Sequence, residues 1–235
     1  MVKPIRYPLF EYEKFVFDTL QNHKYVWIKK ATGLGITELM LRYMSWLCLR
    51  DGSMKGSQMC IVTGPRIELA IELIKRMKSL FLTINIATFD TEETVIDLNG
   101  CHIEAYPSHH LDAMRSLTSP KFILLDEADF FPPGQQQDAR DVSERYIAKS
   151  NPWIVMVSTP NVPDGLFEKI EREPENTCLY KRLFLDYTYG IDKIYTREEI
   201  TLAQKSPSFE REYNLKYLGK VGNVFHTLDI EATEQ

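Results

Sequence analysis

Two short runs, Phe122-Ile123-Leu124-Leu125 and Trp153-Ile154-Val155-Met156-Val157, contain no polar residue at all. That constrains the fold more than any other feature of the chain. A strand with a solvated face alternates apolar and polar side chains, so a strand without the alternation is covered on both sides. Helices above and below a parallel sheet provide that cover. The flanking patterns agree. Tyr25-Val26-Trp27-Ile28-Lys29 reads as a strand entering a glycine-bearing turn, and residues 37–50 as a helix packed on a sheet, with Gly52 as its stop. Met59-Cys60-Ile61-Val62-Thr63 is a second strand, after which Gly64-Pro65 opens a helix. Its apolar positions, Ile67, Ala70, Ile71, Ile74, Met77 and Phe81, follow the 3.6-residue period. Residues 94–98 and 102–106 flank Asn99-Gly100, a strong hairpin signal that predicts an antiparallel pair.

Past about residue 172 the sequence is less periodic and richer in charge. A core over residues 1–172 and a C-terminal linker subdomain over 173–235 are therefore expected. With 44% hydrophobic residues in 235, disorder is excluded. The net charge of −5 excludes a protein that binds nucleic acid through an overall basic coat, yet residues 1–82 carry thirteen basic and seven acidic side chains, which leaves room for a local basic face. Cys48, Cys60, Cys101 and Cys178 lack metal-ligand spacing and read as reduced thiols, and His109-His110 has no third ligand at suitable spacing. No run of ~18 apolar residues predicts a membrane span.

Three elements carry chemistry. The first is the turn Lys30-Ala31-Thr32-Gly33-Leu34-Gly35-Ile36-Thr37, which has glycine at the sixth and a hydroxyl at the eighth position of a P-loop pattern. Lys30 replaces the first glycine, and Ile36 stands where the phosphate-binding lysine belongs. A cradle made of backbone N–H groups and a helix N-terminus survives those changes, because unsatisfied donors and the helix dipole attract phosphate. The missing charge then comes from Lys30, whose long stem extends across the loop toward the β- and γ-phosphates, while Thr37 offers its hydroxyl to Mg²⁺. In the second element, Phe122–Glu127, an apolar strand ends in two adjacent carboxylates. Asp126 suits a hydrated Mg²⁺ and Glu127 suits the activation of water. The third, Val157-Ser158-Thr159-Pro160-Asn161, ends a strand with hydroxyls placed to sense the γ-phosphate.

In this order the three elements resemble the ATPase domain of terminase large subunits, the motors that package DNA into viral capsids, over roughly residues 7–220. Some members of that family likewise carry the P-loop lysine at the front of the motif, matching Lys30 with Gly35 and Thr37 in register. The resemblance implies an α/β P-loop NTPase fold of the ASCE, RecA-like kind: a three-layer sandwich with a mainly parallel sheet. It implies ATP and Mg²⁺ as ligands, Lys30 to Thr37 (Lys30, Ala31, Thr32, Gly33, Leu34, Gly35, Ile36, Thr37) as the nucleotide-binding loop, Asp126 and Thr37 as metal ligands, and Glu127 as the catalytic glutamate. Thr159 is implied as the coupling residue, and Arg115, with Ser116 in place of the family's glycine, as a finger on a neighbouring subunit's nucleotide. Glu13 stands near the place where the family has a glutamine reading adenine, and is implied as an ATP-binding residue that accepts from the adenine amino group. Implied partners are double-stranded DNA, further copies in a homo-oligomeric ring on a capsid portal, and a small terminase subunit, in the cytoplasm of an infected host cell. Residues 208–213 and Gly222-Asn223-Val224-Phe225 resemble the stretch that closes the ATPase domain. The chain stops ten residues later, and Asp229 and Glu231 are too few for a two-metal nuclease site, so nuclease activity is not expected.

Two other readings use the same residues. Asp126-Glu127-Ala128-Asp129 spells the box of superfamily 2 helicases, although some 70 residues after Asn161 are too few for their second motor domain. A non-catalytic, nucleotide-dependent assembly module would explain Ile36 as the loss of the lysine. Tyr180, Phe184, Tyr187 and Tyr189 read as core aromatics rather than stacking platforms.

Overall fold

The computed structural model describes residues 8–81, 88–89 and 92–218. Strands β1 (Tyr25–Lys30), β2 (Gln58–Thr63), β3 (Thr88–Phe89), β4 (Val95–Leu98), β5 (Cys101–Pro107), β6 (Pro120–Asp126), β7 (Trp153–Ser158) and β8 (Lys181–Leu185) form one sheet in the order β3-β4-β5-β2-β6-β7-β1-β8. From β5 to β8 every pairing is parallel, while β4 runs antiparallel to both β5 and β3. The helices are α1 (Glu11–Asn22), α2 (Ile36–Arg50), α3 (Ile67–Ser79), α4 (Leu111–Met114), α5 (Gln135–Glu144), α6 (Ile147–Ser150), α7 (Leu166–Arg172), α8 (Arg197–Ala203) and α9 (Phe209–Glu212). The mainly parallel α/β sandwich expected from the sequence is the fold found.

Side-chain parity sorts each central strand between two cores. Val26 and Ile28 of β1, Phe122 and Leu124 of β6, and Val155 and Val157 of β7 join the cluster under α1, α2 and α3. Trp27, Ile123, Leu125, Ile154 and Met156 face the opposite cluster, under α4, α5 and α7. This is why the runs at β6 and β7 show no polar alternation. Each such buried side chain contributes about 1.5–3 kcal/mol, so both layers are needed to hold the sheet. The same parity puts Lys30 on the α2 side and Lys29 on the α7 side.

The hairpin forms where Asn99-Gly100 predicts it. Both residues have positive φ, 50° and 79°, as a two-residue turn between right-twisted strands requires, and Leu98 pairs with Cys101. Two expectations are corrected. In α3 the buried stripe is Ala70, Leu73, Ile74 and Met77, while Ile67, the first helical residue, is 41% exposed. Among the later aromatics only Tyr180 is fully in the core. Leu183 and Leu185 occupy the inward positions of β8, which leaves Phe184 exposed against Trp27 and Tyr189 exposed beyond the strand. β8 itself, within the segment expected to form the linker subdomain, pairs with β1 in the main sheet. The expected closing stretch Gly222–Phe225, with Asp229 and Glu231, lies outside the described residues.

Candidate functional site

In a parallel sheet the carboxyl ends of all strands open on one edge, and ligands bind where the strand order reverses. Here β1 leads through α2 to β2, and β6 and β7 fill the gap between the two. The ends of β1, β6 and β7 thus converge.

After β1 the loop turns left-handed at Gly33 (φ 78°) and Gly35 (φ 73°), the latter being the N-cap of α2. Both glycines are exposed, whereas Ala31, Leu34 and Ile36 are buried. Ile36 is therefore a core residue of α2, and a lysine is not missed there for packing. Among the described residues no acceptor takes the amides of Gly33, Leu34, Gly35, Ile36 or Thr37. Successive free donors at the start of a 15-residue helix form an anion nest.

Lys30 is only 7% exposed, so its ammonium needs partners. It donates to Glu127 Oε1 at 2.5 Å and to Thr159 Oγ1 at 3.1 Å. Glu127, the first residue after β6, adopts a left-handed conformation (φ 53°, ψ 45°) that costs a non-glycine residue on the order of 1 kcal/mol. The turn presents its carboxylate to the Lys30 ammonium, and Oε2 lies 3.3 Å from both Ser158 Oγ and the Thr159 amide, whose N–H it accepts. Thr37 donates to Asp126 Oδ1 at 2.7 Å. Burial pushes the Asp126 carboxyl up to about 6, the Glu127 charge adds to this, and the Thr37 hydrogen bond, Lys30 and Arg76 oppose it. A hydroxyl beside a buried carboxylate short of positive charge is an oxygen donor set that fits Mg²⁺.

Lys30, Thr37, Asp126, Glu127 and Thr159 are thus brought together. Arg115 and Glu13 are not. Arg115 precedes the amino end of β6, is exposed, and pairs with Asp112 at 3.3 Å. Glu13 accepts the Phe10 amide at 2.8 Å and closes the first turn of α1. His109 and His110 pack edge to face, and no group of three or more potential metal-binding side chains occurs among the described residues.

Several residues at the site were not foreseen. Arg76 of α3 shares Glu38 with Arg42, both at 3.2 Å, and its charge reaches Asp126. Asp129, fully buried, accepts the amides of Asn161 (2.5 Å) and Val162 (3.1 Å), tying the turn after β6 to the turn after β7. The Asp-Glu-Ala-Asp string was the available signal for it. Tyr12 donates to Leu34 O at 2.7 Å and Tyr195 donates to Thr32 O, contacts to backbone that no sequence pattern announces.

No family profile and no curated protein matches the sequence; solved structures do match. An ATPase-domain variant of the Thermus phage P74-26 large terminase superposes with a TM-score of 0.64 at 15% identity, over 90% of this chain and 95% of that one. The chain has the fold of a large-terminase ATPase domain. The large terminase of a second, thermophilic bacteriophage gives a TM-score of 0.71 at 11% identity, and that of bacteriophage HK97 gives 0.67 at 15%. This chain covers 57% and 52% of those two proteins, and they cover 94% and 91% of it. The thermophilic phage enzyme has also been solved with ADP and with ATP-gamma-S.

Proposed function

We propose that the chain is the ATP-hydrolysing motor domain of a large terminase, which drives double-stranded DNA into a viral capsid in an infected host cell. The observation that carries the reading is the meeting of Lys30, Glu127 and Thr159, from three separate strand ends, beside an open anion nest and the Thr37–Asp126 pair.

The amides from Gly33 to Thr37 and the amino end of α2 receive the triphosphate, and Lys30 supplies the cation that Ile36 does not. Thr37 and Asp126 would hold Mg²⁺, which when bound offsets the charge on the phosphate oxygens. Lys30 pairs with Glu127 and offsets its charge. Once its ammonium turns to phosphate, Glu127 is left as a free carboxylate beside the attacking water. As the water oxygen bonds the γ-phosphorus and the bond to the bridging oxygen of ADP breaks, Glu127 takes the proton. Thr159 shares Lys30 with Glu127, so a change at the γ-phosphate reaches the turn after β7, which Asp129 holds. Arg115, exposed and outside the cluster, serves a neighbouring subunit's nucleotide in a ring on the portal, with a small terminase subunit as a further partner. A ring also lets a modest basic face grip DNA through many copies, in keeping with an acidic chain.

Replacing Glu127 with Gln tests the assignment. Hydrolysis should fall at least about 100-fold while nucleotide affinity stays within a few-fold, since only the proton acceptor is lost. Turnover at the wild-type rate refutes it. A wild-type chain that binds ATP without hydrolysing it, even when assembled, supports the assembly-module reading instead.

A further inference from the structure

The nest depends on loop carbonyls being turned away from it, and two of them are held by tyrosines from distant parts of the chain. Tyr12, at the start of α1, donates its buried hydroxyl to Leu34 O at 2.7 Å. Tyr195, between β8 and α8, donates to Thr32 O from 163 positions away. A trans peptide is planar, with C=O and N–H pointing opposite ways, and no cis peptide occurs among the described residues. Pinning Thr32 O therefore aims the Gly33 N–H at the opposite side, and pinning Leu34 O does the same for Gly35 N–H. These two amides are among those with no acceptor of their own.

The surroundings keep Tyr195 in place. A Cβ at Gly190 would lie 2.5 Å from its ring and 2.8 Å from Leu34 Cδ2, so only glycine fits there. At Gly33 a Cβ would meet the ring at 3.4 Å, ordinary contact distance, so the ring closes against the loop itself. Tyr195 also packs edge to face on Tyr213, and the neighbouring Glu212 carbonyl takes the Thr32 amide at 2.8 Å. Thr32 is thus held at both backbone groups from outside the loop.

We infer that Tyr12 and Tyr195 are positioning residues of the phosphate loop, orienting the Gly35 and Gly33 amides toward a bound triphosphate before it arrives. The inference rests on the proposed nucleotide reading of the loop. Burial holds both phenols above their ordinary value, so each remains a donor.

The test uses Tyr12→Phe, Tyr195→Phe and the double variant in the full chain, with inorganic tripolyphosphate and ATP-gamma-S as probes in calorimetric titration. Each phenylalanine keeps the ring and removes one donor, so affinity should fall about 3- to 10-fold per variant, the size of one net hydrogen bond. The loss should be equal for the two probes, because the effect concerns phosphate and not the base. In the nucleotide-free protein, the amide NMR resonance of Gly33 should shift and broaden in Tyr195→Phe and that of Gly35 in Tyr12→Phe, as the unpinned peptide turns, at a temperature below every unfolding transition. Gly190→Ala, which pushes the Tyr195 ring aside while leaving its hydroxyl, should reproduce the Tyr195→Phe pattern. Variants that bind tripolyphosphate like a binding-competent wild type overturn the positioning role and leave the nucleotide reading intact. A wild type that binds neither probe overturns both.

Discussion

Adjacent lysines on opposite faces of one strand allow the relocated charge to be tested against its own neighbour. Lys30 is 7% exposed and already held at the strand end, so recruiting its ammonium to phosphate costs little side-chain ordering. A charge-assisted hydrogen bond is worth about 1.5–3 kcal/mol, or roughly one to two decades in affinity. Lys30→Met keeps the length of the stem and removes only the charge, so affinity for a fluorescent ATP analogue should drop about 10- to 100-fold. Stability should change little. The Glu127 side chain left behind is 34% exposed, so water replaces the ammonium at a cost of about 1 kcal/mol or less. Lys29→Met should do the opposite. Its ammonium sits 2.7 Å from Glu171 Oε2 and over the Tyr217 ring at 4.6 Å, on the α7 face. Breaking that part-buried pair, with the loss of the ring contact, should cost about 1 kcal/mol in urea unfolding and leave nucleotide affinity within about twofold. Wild-type affinity in Lys30→Met, or equal losses of affinity in both variants, refutes the assignment of Lys30 as the substitute for the lysine missing at Ile36.

Two further outcomes follow from the same geometry. Asp129 is pushed up to about 6 by burial, with Glu168 adding to the shift and the Asn161 and Val162 amides and Tyr217 opposing it; neither Tyr217 Oη nor Asp129 Oδ1 meets hydrogen-bond geometry. Because this folded value lies above the ordinary 3.8, the folded protein holds the proton more tightly, and stability falls as pH rises from about 4 to about 6. Asp129→Asn abolishes that titration. The stability of the variant minus that of the wild type should therefore rise by up to about 3 kcal/mol across the interval and level off above it; a difference in urea unfolding free energy that is constant with pH contradicts this. Arg115→Ala should leave melting within about 1 °C, as an exposed pair with Asp112 contributes little. Wild-type turnover per chain should rise with protein concentration as subunits meet, and the variant's should stay flat; parallel curves exclude a role across subunits.

The residues that meet at the candidate site were legible because each piece is written in one contiguous stretch. Asp126 and Glu127 end an apolar run, Thr37 opens a helix after glycines, and Thr159 precedes a proline that ends a strand. That Lys30 meets Glu127 and Thr159, 97 and 129 positions away, follows once all three strands are parallel in one sheet, since parallel strands deliver their carboxyl ends to one edge. Asp129 shows where a string misleads. As letters it completed a helicase box, and as a side chain it is a buried acceptor holding the turn of Asn161 and Val162. Tyr12 and Tyr195 were illegible for a more general reason. Their partners are carbonyl oxygens, which every residue possesses, so the contact leaves no trace in the identity of Leu34 or Thr32. The trace falls instead on the glycines, Gly33 for its left-handed turn and Gly190 for the space that the Tyr195 ring fills. Residue identity thus encodes which groups meet at the site. The conformation that makes a loop receptive is encoded largely by what presses on its backbone, and that can be read only after the chain has been folded.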